Sequence, residues 1–77
     1  SARMVGTLMA DTVGDALPRE MARVRDVVMP AYAEIGPSGA MALAFMRRDL
    51  DLAAKAMAEG DVVAMIAALR ELQGWKL

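Results

Sequence analysis

Apolar residues recur along this chain at steps of three and four, the spacing that gathers side chains onto one stripe of an α-helix. Val5, Leu8, Met9, Thr12, Val13, Ala16 and Leu17 form the first stripe, which predicts a helix A from Ala2 to Val13. Gly14 and Asp15 break the pattern, since glycine leaves the helical well most readily at a C-terminus. Pro18 has its φ preset and needs no N–H in a first turn, so it opens a helix B, with Glu20 where the helix dipole favours a negative charge. The stripe of helix B, Met21, Val24, Val28, Ala31 and Ile35, runs through Pro30. Proline removes one backbone bond and crowds the preceding turn, but the unbroken stripe predicts a helix kinked near Pro30, not two helices.

Gly36 and Pro37 end helix B, and Ser38 is a natural N-cap for a helix C over Gly39 to Glu59. Its first half, Met41 to Met46, is apolar all round, as expected of a central bundle element or the heart of a dimer contact. The second half narrows to a stripe through Leu50, Ala53, Ala54 and Met57, with Arg47, Arg48, Asp49, Asp51 and Lys55 expected outward. Gly60 stops helix C and Asp61 caps a helix D from Val62 to Gln73, making the tight corner of an αα-hairpin. Val62, Met65, Ile66, Leu69 and Leu72 are expected inward. Gly74 is expected in the left-handed conformation, with Trp75 or Leu77 folded back on the last turn. Alternation of period two is absent, so the fold class expected is all-α: one domain over residues 1–77, a compact bundle of about four helices.

Composition adds a surplus to that picture. The chain of 77 residues is 57% hydrophobic and only 25% charged, more apolar than a domain of this size requires, so part of the apolar surface is expected to meet a partner. The longest apolar runs, Ala40 to Met46 and Val62 to Leu69, are too short to span a bilayer. The chain opens on Ser1, which is not a natural start, and shows no basic segment leading into an apolar leader. The expectation is a soluble protein of the cytoplasm, without membrane insertion. Abundant alanine, arginine in excess of lysine and no asparagine suggest a GC-rich bacterial or phage genome.

Charge and chemistry then narrow the function. A net charge of −1 supplies no broad basic field, so nucleic acid is not the expected partner. With no histidine and no cysteine, the usual proton carriers and nucleophiles are missing, and Ser38 already has a capping role. Asp49 and Asp51, two apart, point to different helix faces. Neither a calcium loop nor zinc-ligand spacing occurs. No enzyme activity, no metal and no cofactor are expected. Eight methionines are the informative excess, because flexible methionine serves adaptable recognition surfaces as well as cores. The expected partner-binding residues are Met4, Val5, Leu8 and Met9 of helix A, with Met41, Phe45 and Met46 of helix C, rimmed by Arg47 and Arg48.

The segments Val24-Arg25-Asp26, Met29-Pro30, Glu34-Ile35-Gly36-Pro37, Glu59-Gly60-Asp61 and Trp75-Lys76-Leu77 together resemble short helical accessory proteins of Mu-like transposable phages and prophages. That resemblance spans Leu17 to Leu77 and implies a non-enzymatic protein that disables or redirects a bacterial host protein, such as a transcription factor or a defence component, by direct binding. The function expected is therefore a homodimeric binding module acting on a bacterial protein. Two alternatives are a small DNA-binding regulator using Arg19, Arg23, Arg47 and Arg48, and a structural assembly or scaffold subunit.

Overall fold

A computed structural model describes residues 12–77, and the expected helix A lies outside them except for Thr12 and Val13. The described residues are all-α, with no strand among them, and form three helices. Helix α1 covers residues 13–34, as an α-helical segment Val13–Arg23, a π-helical turn Val24–Val28 and an α-helical segment Met29–Glu34. A 3₁₀ turn, Gly36–Gly39, leads to α2, Ala40–Glu59, and then to α3, Val62–Gln73.

Helix α1 begins earlier than the sequence pattern suggests. Thr12 is extended, and its backbone N–H and hydroxyl both donate to the Asp15 carboxylate, at 3.4 and 3.2 Å. An acid three residues into a helix that reaches back to the cap outweighs the cost of Gly14 in the first turn. Gly14 therefore starts a helix instead of ending one. Pro18 lies inside α1, not at its start, and its missing N–H leaves the Gly14 carbonyl without a helical donor.

Pro30 does not cut the helix. Immediately before it, the Met29 N–H bonds the Val24 carbonyl five residues back. The widened π turn makes room for the proline ring and carries the helix on to Glu34. At the following corner Gly36 takes a left-handed φ of 71°. The N-cap of α2 is Gly39, without a side-chain bond, so Ser38 is not the cap. Gly39 is buried where the end of α1 meets the start of α2: a Cβ there would collide with the Tyr32 carbonyl oxygen.

The hairpin of α2 and α3 forms as expected. Gly60 is left-handed, with φ 66°, and the Asp61 carboxylate accepts the Ala64 N–H at 3.1 Å. The first segment of α1 packs on α3, and its second segment on α2. The core joins Leu17, Val24 and Val28 of α1 to Met46, Ala53 and Ala56 of α2 and Met65, Ala68 and Leu72 of α3. Val62 and Ile66, expected inward, are exposed.

The tail after α3 is docked, though not as expected. Gly74 is right-handed, with φ −69°. The Trp75 indole N–H donates to Asp49 Oδ2 at 2.8 Å, and its ring meets Tyr32 edge-on at 6.2 Å. Arg23 of α1 donates to the carbonyls of Leu72 and Trp75, at 3.1 and 2.8 Å, and to Glu20 at 2.8 Å. One guanidinium thus ties the end of α3 and the tail to α1, adding a charged donor to carbonyls at the helix terminus. Leu77 is exposed.

Candidate protein-binding interface

Helix α2 is 20 residues long and α3 only 12, about 30 and 18 Å at 1.5 Å per residue. The shorter helix cannot cover the whole of the longer one. The N-terminal half of α2 consequently keeps apolar side chains in solvent: Met41 is 72% exposed and Phe45 43%. Four and seven residues beyond a helical position lie on the same stripe, and Leu52, 52% exposed, extends the line from Phe45. The Arg48 guanidinium stacks over the Phe45 ring, 5.1 Å from its centroid, a geometry in which the ring quadrupole attracts the cation.

Toward its C-terminal end the same stripe becomes a depression. Leu52 and Ala56 of α2 with Ala64, Ala67 and Ala68 of α3 line a groove of about 310 Å³. Small side chains on α3 leave the backbone close to the surface there. Glu59 and Glu71 stand on its rim with Lys55, and Asp49 closes one wall. Large apolar side chains therefore occupy one end of the face, and an alanine-lined hollow the other.

Asp49 was expected on a solvated face and is 2% exposed. Its carboxylate is held by the Trp75 indole and by Arg48, whose Nη2 lies 3.4 Å from Oδ1. No buried side-chain nitrogen or oxygen among the described residues lacks a partner. A buried acid bonded in this way fixes the tail against α2.

The other expected binding residues divide. Met4, Val5, Leu8 and Met9 lie outside the described residues. Met46 is fully buried in the core and is withdrawn from the binding face, because none of its side chain reaches solvent. Arg47 is exposed but sits two residues from Phe45, and so projects to another side of α2. Met41, Phe45 and Arg48 remain together. Sequence reasoning missed Leu52, although its place seven residues after Phe45 was visible.

Elsewhere, Arg25 and Asp26 form a two-bonded ion pair at 2.8 and 3.0 Å. The hydrogen bond from Arg25 holds the Asp26 carboxyl below its ordinary pKa. Arg23 is committed to Glu20 and to the end of α3, which removes it from the basic set a DNA-binding reading requires. No described helix is long and apolar enough to cross a membrane. The described residues contain no group of three or more potential metal ligands among histidine, cysteine, aspartate and glutamate.

Compared with protein-family models, curated proteins and solved structures, the chain matches none. The site therefore stands on its geometry.

Proposed function

We propose that this chain is a non-enzymatic protein-binding module whose contact surface is the Met41, Phe45 and Leu52 stripe of α2, edged by Arg48. The observation that carries this reading is the exposure of Met41 and Phe45 on a helix whose adjoining face, Met46, Ala53 and Ala56, builds the core. Exposing large apolar side chains to water costs about 25 cal/mol per Å² relative to burial, and aligned exposed residues of this kind, rimmed by arginine, characterise protein contact surfaces.

The module is homodimeric and acts in the cytoplasm of a bacterial host, where it occludes a functional surface on a host protein. The resemblance to accessory proteins of Mu-like phages motivates that host-directed role.

Affinity purification from a GC-rich bacterial lysate tests it, with wild-type and Phe45→Asp proteins as paired baits and mass spectrometry as the readout. The reading expects a bacterial protein retained by the wild type and lost by the variant, with helical circular dichroism equal in both. Identical retention by both baits overturns it.

A further inference from the structure

We infer that the α2 face is self-complementary and that its occupant is a second copy of this chain, with Phe45 of each copy seated in the α2/α3 groove of the other. This deepens the binding-module reading and rests on it: the stripe holds the two copies together and the host protein meets the paired form, so that Phe45→Asp loses both. Three features meet on one stripe. Met41 and Phe45 project from the N-terminal half of α2. The groove floored by Ala56, Ala64, Ala67 and Ala68 opens on the C-terminal half. Leu52, exposed and lining the groove, lies between them in sequence.

A twofold axis near the middle of α2 runs two copies antiparallel and places each projection opposite the other copy's hollow. Such an isologous contact closes on itself and leaves neither feature unused. The groove's volume of about 310 Å³ takes an aromatic side chain, and its alanines allow the helices to approach closely.

Charge follows the same polarity. The projecting end carries Arg48, paired with its own Asp49, over Phe45, while Glu59 and Glu71 outnumber Lys55 at the groove, and neither glutamate has an ion-pair partner among the described residues. Antiparallel pairing brings the arginine of one copy toward the glutamates of the other; parallel pairing sets like charges side by side. Opposite charges placed this way fix register and orientation.

Sedimentation equilibrium on the full chain tests the arrangement with two variants at exposed positions, Phe45→Ala, which removes the projection, and Ala67→Arg, which fills the groove. The wild type is expected to dimerise, and each variant alone to dissociate with a constant raised about thirtyfold or more, as for loss of a central aromatic anchor. Mixed one to one, the variants should form a heterodimer weaker than the wild-type dimer, because one projection and one groove remain intact between them. Circular dichroism confirms that each variant is folded. A monomeric wild type at millimolar concentration overturns the second copy as occupant, while the paired-bait purification still tests the binding-module reading separately. Variants that dimerise like the wild type, or folded variants that fail to recover a dimer on mixing, also overturn the arrangement.

Discussion

Among single residues, Asp49 and two glycines hold the packing together, and the glycines are needed for different reasons. Asp49→Ala leaves the Trp75 indole N–H without its acceptor and should cost about 1 to 3 kcal/mol in urea denaturation. Asp49→Asn, whose amide oxygen can still accept, should cost less, and Trp75 fluorescence reports whether the ring stays docked. Equal losses for the two variants would mean that the hydrogen bond matters less than the charge. Gly39 has an ordinary φ of −92° but no room, so Gly39→Ala should destabilise by clash with the Tyr32 carbonyl, by about 2 kcal/mol or more. Gly60 has room but a left-handed φ, and Gly60→Ala should cost only the backbone strain, about 1 to 2 kcal/mol. Thermal unfolding of the two variants side by side separates the mechanisms. For Asp26, a folded pKa below the unfolded one means that its contribution is present above the ordinary carboxylate range and is lost as pH falls through the folded value. An NMR titration should find Asp26 titrating low, and Arg25→Ala should return it toward the ordinary value.

Helix boundaries depend on local chemistry that apolar spacing does not report. The α2/α3 hairpin was legible because Gly60 and Asp61 form a corner with one interpretation, and α3 fell where Asp61 and Gly74 bound it. The start of α1 was not legible. Gly14 read as a breaker and Pro18 as a helix start, and only the Asp15 carboxylate on Thr12 places both inside one helix. Asp49 was misread for a related reason. Its neighbours Arg48 and Asp51 are charged and exposed, and nothing near it in sequence announces a tryptophan 26 residues away. Phe45 and Met41 were legible as a candidate surface, whereas Met46, on the same apolar run, faces the core because one residue turns a helix by about 100°. The end of α3 offers a test at this scale. Arg23→Lys replaces a guanidinium that bridges Glu20 and two carbonyls with a single ammonium, so it should recover little of the loss seen in Arg23→Ala. Recovery of wild-type stability by lysine would show that charge alone holds α3 to α1.

Across the whole molecule, unequal helix lengths connect packing to function. A third helix of 12 residues against a second of 20 closes the core around Leu17, Ala53 and Leu72 but leaves one face of the N-terminal half of α2, at Met41 and Phe45, exposed. The apolar surplus in the composition is accounted for in part by that uncovered face. Asp49, Trp75, Tyr32 and Arg23 then hold the tail in place beside it, so that the face is presented by a fixed scaffold. Exposed apolar residues that serve binding can be changed without unfolding the protein, and residues of the core cannot. The decisive measurement is urea denaturation of Phe45→Asp at protein concentrations low enough to suppress association. Phe45→Asp is expected to stay helical, with an unfolding free energy within about 0.5 kcal/mol of wild type. Loss of cooperative unfolding, or a destabilisation of about 3 kcal/mol or more, would place Phe45 in the core and contradict the claim that this face is built for contact.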